Sequence, residues 1–226
     1  MDVASLDLAS VDHVLTTTRA VRKRLDLTRP VAPEILEQCL AIALQAPIGF
    51  AGETRHFVVV TDPQPRAAIA ALYSQAAAEA RSGVRPRDAY LAQRQITDAA
   101  DPRFAQQQRV FASGAHLVQH LHEVPVLVLA CIEGRVEHAG PGAQASLYAS
   151  IMPAVWSLML ALRARGIGSV LTTIHIHPFE REIAQLLAVP AEITQAALLA
   201  VAYFTGTDFN PARRAPAKER THWNSW

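Results

Sequence analysis

Apolar positions recur along the chain in two alternating patterns. From Val3 to Thr17, and again after Pro33, where Ile35, Leu36, Leu40, Ala43 and Leu44 share a face until Pro47, a period of about 3.6 residues predicts amphipathic helices. Pro33 suits a first helical turn, where a missing N–H costs nothing. His56 to Thr61 predicts a buried strand, and the alanine-rich run from Arg66 to Glu79 a third helix. Periodicity then weakens from Ser82 to Gln108 and returns as helix from Phe111 to His122. Val124 to Ile132, entered through Pro125, predicts a long apolar strand, and Leu147 to Leu162 a helix apolar on every side. Gly166-Ile167-Gly168 turns the chain into a strand from Ser169 to Ile174. A short helix from Phe179 to Leu187 and a last strand from Gln195 to Phe204 complete the pattern.

Four strands separated by helices, with no internal repeat, predict an α+β fold or α/β sandwich with a central sheet flanked by helices. The pairing order of the strands is not contained in the pattern. With 226 residues, half of them hydrophobic, and no linker composition, the expectation is one domain over 1–226. Its least core-like part is the segment at about 82–110, with Arg85, Arg87, Arg94, Arg103 and Arg109, which predicts a variable lid or dimer surface. The apolar Leu147 to Leu162 run is shorter than the ~20 residues a bilayer needs, contains Pro153 and ends at Arg163 and Arg165, so it predicts a core or subunit-interface helix.

Net charge of +1 gives no whole-molecule field for nucleic acid or an anionic membrane. Cys39 and Cys131 fit buried thiols in a reducing compartment, and the acidic start Met1-Asp2-Val3 lacks the basic region of a signal peptide. A cytoplasmic location is expected. The informative charges are local: Thr18-Arg19-Ala20-Val21-Arg22-Lys23-Arg24 and, about 190 residues later, Arg213-Arg214. Two short arginine segments outside any general basic surface point to one shared anionic group, and a phosphate suits their planar, paired donors. Read alone, Arg22, Lys23 and Arg24 fit a solvated helix end favoured by the helix dipole better than a ligand site.

Arg19-Ala20-Val21-Arg22 before Pro30-Val31, Ala43-Leu44-Gln45-Ala46-Pro47-Ile48-Gly49 before His56 to Val60, Leu160 to Ser169 around Gly166-Ile167-Gly168, and Arg213-Arg214-Ala215-Pro216 resemble the nitroreductase family in order and spacing. The resemblance spans nearly the whole chain. It implies a nitroreductase-like fold and a homodimer holding FMN at its interface, which passes hydride from NADH or NADPH to a small electron-poor acceptor by a ping-pong scheme. It also implies that Arg19, Ala20 and Arg22, with Arg213 and Arg214, hold the FMN phosphate, and that backbone groups of Pro47, Ile48 and Gly49 approach the ring. Leu171, Thr172 and Thr173 would lie near its redox-active edge.

Where the family's loop carries Ser, Asn and Gln, this chain has Ile48, Ala51 and Glu53; where a buried helix carries Gln-Asn, it has Trp156-Ser157. Glu53 or Arg55 is therefore the candidate selector of a charged acceptor, and Tyr90 and Phe104 the candidate apolar contacts from the lid. A second reading is a non-catalytic member that binds or sequesters flavin or another ligand. No catalytic acid is named by the pattern. His116 with His120 on a helix face, and His175 with His177 on one side of a strand, lack a Cys or carboxylate to complete a metal signature, Glu123 being expected to face away from His120. No Gly-x-Ser-x-Gly elbow is present.

Overall fold

The computed structural model describes residues 7–49, 52–82 and 93–226. In chain order the elements are α1 (Leu8–Thr17), α2 (Pro33–Ala43), β1 (Arg55–Val60), α3 (Pro63–Ser82), α4 (Phe104–His120), β2 (Val126–Glu133), α5 (Pro141–Arg163), β3 (Ile167–Thr172), α6 (Ile176–Leu187) and β4 (Ile193–Tyr203). The strands form an antiparallel sheet in the order β1-β2-β4-β3. This is an α+β architecture with both sheet faces covered.

β2 shows why. Successive strand side chains point to opposite faces: Val126, Val128, Ala130 and Ile132 enter the core formed with α2 and α5, while Leu127, Leu129 and Cys131 enter the core formed with α3, α4 and α6. An eight-residue strand buried on both sides must be apolar at nearly every position. A bulge between Ala130 and Cys131 shifts its register against β4.

Several elements differ from their sequence boundaries. α3 and α4 are longer than the periodicity predicts, and α4 starts at Phe104, so 104–110 is helical. The Asp101 side chain accepts from the Arg103 N–H at 2.8 Å and the Asp101 carbonyl from the Phe104 N–H at 2.9 Å, a turn that launches this helix among polar residues without a hydrophobic stripe. β3 ends at Thr172, which makes His175 the cap of α6 and not a strand residue, so the proposed His175 and His177 pairing on one strand side does not form. α1 ends at Thr17: Thr17 and Thr18 hydroxyls donate to the carbonyls of His13 and Val14 at 2.6 Å, and Thr18 is already extended. The cationic stretch that follows is therefore an arm, not the end of a helix. The predicted helix start at Val3 lies outside the described residues.

α5 is long and apolar enough to cross a bilayer by length and composition, but half of its most apolar window is buried inside the fold. Trp156 and Tyr148 on the same helix are 43% and 37% exposed.

Candidate active site

Residues 20–26 run along the free edge of β3 and then past the end of β4. Ala20 bridges Ser169 in parallel, the Val21 N–H donates to the Ser169 carbonyl at 2.9 Å, Leu25 bridges Phe204, and the Asp26 N–H reaches the Tyr203 carbonyl at 2.7 Å. The glycines foreseen as a turn have distinct tasks. Gly166 has φ +72° where the chain leaves α5, a conformation that costs glycine little. Gly168 lets the arm approach: a Cβ there would lie 3.0 Å from Val21 Cβ. The arm is thus seated by backbone bonds and by buried Val21 and Leu25, while Arg19 and Ala20 are exposed and Arg22 half-buried.

After β4 the chain turns back over this arm. Arg24 donates to the Thr205 carbonyl at 2.7 Å and to that of Thr207, with its guanidinium 4.0 Å from the Phe209 ring centre. Arg163, at the end of α5, donates to Thr17 Oγ1 at 3.0 Å and to the Asp208 carboxylate. Asp208 also meets His13 Nε2 at 2.5 Å and accepts from the Phe209 N–H at 2.7 Å. That N–H, followed by His13 and Arg163, holds its carboxyl below the usual carboxylate range. Arg19 donates to the Asn210 carbonyl at 3.0 Å. The fold therefore brings the two arginine segments toward each other: Arg213 and Arg214, both exposed, follow Asn210 within roughly 14 Å of chain. Among the described residues, Arg19, Arg22, Arg213 and Arg214 form no ion pair, whereas Arg55, Arg103, Arg135 and Arg163 each do.

At the end of β3, Thr172 Oγ1 and the Tyr73 hydroxyl are 3.1 Å apart. Burial raises the Tyr73 phenol above its ordinary range, against the opposing effects of Thr172 and nearby Arg22. Tyr73, from α3, was missed by the sequence reading; its place as the one aromatic in an alanine-rich helix was the available signal. Since backbone groups of alternate residues face the same edge, and the Ser169 carbonyl faces outward to the arm, the N–H of Leu171 also faces the free edge. Thr173 is exposed and its carbonyl accepts from the Ile176 N–H at 3.1 Å.

The loop at Pro47, Ile48 and Gly49 flanks the other edge. A Cβ on Gly49 would meet Ser150 Oγ of α5 at 3.3 Å, and Pro47 and Gly49 are exposed. β1 is three inter-strand steps from β3, about 14 Å, so this loop and the arm lie on opposite edges of one sheet. Arg55 differs from the expected acceptor selector. Its side chain is 2% exposed and donates to the carbonyls of Ala46 and Leu44 at 2.9 and 3.0 Å and to both Glu53 oxygens at 2.7 Å. An acceptor cannot reach it; it braces the loop instead. Glu53 remains 44% exposed, its carboxyl lowered to about 2 first by the Arg55 side chain.

Phe104 is half-buried at the first residue of α4. Tyr90 and Ala51 lie outside the described residues. His116 and His120 share a helix face as their spacing predicts, ring centres 4.4 Å apart and planes tilted by 40°, but Glu123 turns toward His120, 2.6 Å from Nδ1, because the helix tightens to 3-10 geometry after His120. No group of three metal-ligating side chains occurs among the described residues. Cys39 and Cys131 are free and buried, and burial pushes the Cys131 thiol up to about 12. His175 is fully buried, and neither ring nitrogen has a protein hydrogen-bond partner.

Solved structures share this fold. An iodotyrosine deiodinase bound to FMN and 3-iodo-L-tyrosine aligns over 96% of this chain and 100% of its own, with 21% identity and a TM-score of 0.68. An FMN- and NADPH-dependent nitroreductase from Sphigopyxis sp. strain HMH aligns over 96% and 99%, with 22% identity and a TM-score of 0.68. A nitroreductase-like protein from Bacillus cereus aligns over 94% and 95%, at 14% identity and a TM-score of 0.63. No curated protein matches the chain significantly in sequence. At these identities the structural likeness speaks for the fold, while the nitroreductase family's own sequence pattern matches residues 15–203, from the end of α1 through β4, and the chain therefore belongs to the nitroreductase family.

Proposed function

We propose that the chain is an FMN-dependent oxidoreductase, working as a cytoplasmic homodimer on a small electron-poor acceptor such as a nitro compound or quinone. The observation that carries this reading is the pair Arg19 and Arg22, fastened to the free edge of β3 without an ion pair among the described residues while four other arginines are matched with carboxylates. Guanidinium groups without a carboxylate partner beside a close backbone approach fit a phosphate, and Arg213 and Arg214 follow within four residues of Asn210, whose carbonyl Arg19 contacts. Two structural relatives are described with FMN, which supports the same ligand.

When bound, FMN would supply the hydride chemistry linking NADH or NADPH to the acceptor in a ping-pong scheme. The chain's residues bind, orient and exclude water. Arg19 and Arg22, with Ala20 between them, would hold the phosphate, joined by Arg213 and Arg214. The outward Leu171 N–H, with Thr172 and Thr173, would meet the polar edge of the ring, and Tyr73 fixes the Thr172 hydroxyl. Pro47, Ile48 and Gly49 flank the opposite sheet edge, so they would reach a ligand held at β3 from a second copy. Exposed Tyr148, Trp156, Val110 and Phe111 are apolar surface suited to such a pairing. Glu53, ionised at every physiological pH and half-exposed beside that loop, would disfavour anionic acceptors. Phe104 and Tyr90 are the proposed apolar contacts to the acceptor.

The visible spectrum of the purified protein, before and after adding FMN, tests the reading. Flavin bands retained on desalting, and bleached anaerobically by NADH or NADPH, are the expected result. Arg22→Ala should lower FMN affinity by about tenfold or more, the loss of one charge-assisted contact, with folding intact. A protein that never retains flavin refutes the proposal. Retention without bleaching by either nucleotide would make it a flavin-holding protein instead.

A further inference from the structure

The turn at 204–210 is held mainly by charge. Asp208 is its centre: the carboxylate takes the Arg163 guanidinium on one side, His13 on another and the Phe209 N–H on a third. Arg163 depends on it in return. Its side chain is 10% exposed, its Nε has no partner, and its remaining contacts are the Thr17 hydroxyl and the rings of Phe204 and Phe209, 5.2 and 5.4 Å from the guanidinium carbon. A buried cation left without its carboxylate is strongly unfavourable, so the two groups hold one another in place. Arg24 grips the same turn at Thr205 and Thr207. Two residues beyond Asp208, the Asn210 carbonyl receives Arg19.

We propose that Asp208, held by Arg163, is a positioning residue for phosphate recognition: it locks the turn after β4 onto α1 and the arm, so that Arg19 and the Arg213-Arg214 segment converge on one anion. This rests on the flavin reading given above. Neither Asp208 nor Arg163 touches the phosphate. Asp208 sets where Asn210 lies, Asn210 sets one end of the Arg19 guanidinium, and Arg213 follows three residues further along the chain. Long arginine side chains lose entropy when they bind, and a scaffold that restricts them beforehand reduces that cost. The effect therefore falls on the phosphate and not on the ring.

The test compares wild type with Asp208→Asn, a change at a half-exposed position that keeps the side chain's shape and removes its charge. Dissociation constants are measured for FMN and for riboflavin, which lacks the phosphate, together with amide hydrogen exchange on the ligand-free protein. Asp208→Asn should weaken FMN by about tenfold, leave riboflavin within about twofold, and speed exchange at 205–212 while the sheet stays protected. Equal weakening of both flavins, or an unchanged preference for FMN, overturns the positioning role while leaving the flavin reading standing. A wild type that binds neither flavin overturns both. Unchanged exchange at 205–212 overturns the lock by itself, whatever the ligand. Arg163→Lys, which keeps the charge but loses the planar fork, should show the same selective loss in milder form; no loss of FMN preference there counts against the pairing.

Discussion

Lowering pH should destabilise this protein through His175. The imidazole is fully enclosed at the cap of α6, three residues after β3 ends at Thr172, and burial pushes its pKa down from 6.5 to about 4, with the Glu180 carboxylate opposing. The folded state therefore prefers the neutral ring. The unfolded chain binds a proton near pH 6.5 and the folded one only near 4, so stability is complete above about 6.5 and is lost as pH falls toward 4. With these two values the loss is about 1 kcal/mol at pH 6 and about 2 kcal/mol at pH 5, approaching about 3 kcal/mol below pH 4. Because the ring is fully buried, solvent screening does not reduce this further. His175→Leu removes the titrating group at similar volume. Urea unfolding of both proteins at pH 7.5, 6 and 5, at constant ionic strength, isolates the term, since other titrating groups are common to both. The variant should gain about 2 kcal/mol on the wild type between pH 7.5 and 5. A stability difference constant to within about 0.5 kcal/mol over that range would refute the reasoning, because a buried neutral histidine must produce a slope.

Two further outcomes follow from contacts in the same fold. Gly168→Ala places a methyl group 3.0 Å from Val21 Cβ, so the arm must move; a loss of about 1–3 kcal/mol in urea unfolding is expected, with weaker FMN retention, and unchanged values for both would show that the close approach does not matter. Arg55→Met strips the carbonyls of Leu44 and Ala46 of their donors and frees Glu53, which should cost about 3 kcal/mol by the same measurement; a loss under about 1 kcal/mol would mean that Arg55 does not brace the loop.

Much of the fold is legible from pattern. β2 is almost continuously apolar because both its faces are covered, and α5 is apolar all round because it packs on the sheet while presenting Trp156 and Tyr148 outward. The glycines at 166 and 168 are legible as a turn, although only coordinates separate a left-handed cap from a close approach. The candidate site is legible in part. Arg19 and Arg22 stand out as a local cluster, and the meeting of Arg19 with residue 210 was foreseeable only as a conjecture about two distant segments. Arg55 was misread because a charged residue in a loop resembles a ligand contact until its hydrogen bonds are known. Glu123 was misplaced by assuming an α-helical angle where the helix tightens. Asp208 carries no local signature, Tyr73 only its place as the one aromatic of α3, and nothing near His175 in the chain announces its burial.

The amino-acid sequence by itself determined which stretches become helix and strand, because that choice depends on the period of apolar positions and on proline, glycine and threonine acting within a few residues. It also determined that two arginine segments exist and that no general basic surface surrounds them. The tertiary structure alone decided the strand order β1-β2-β4-β3, the seating of 20–26 against β3, and which arginines are consumed by carboxylates and which stay free. The physical reason is range. Local propensity acts over one or two turns, whereas an ion pair forms between whatever groups packing brings within about 4 Å, and Arg163 and Asp208 meet only after β3, α6 and β4 have folded between them.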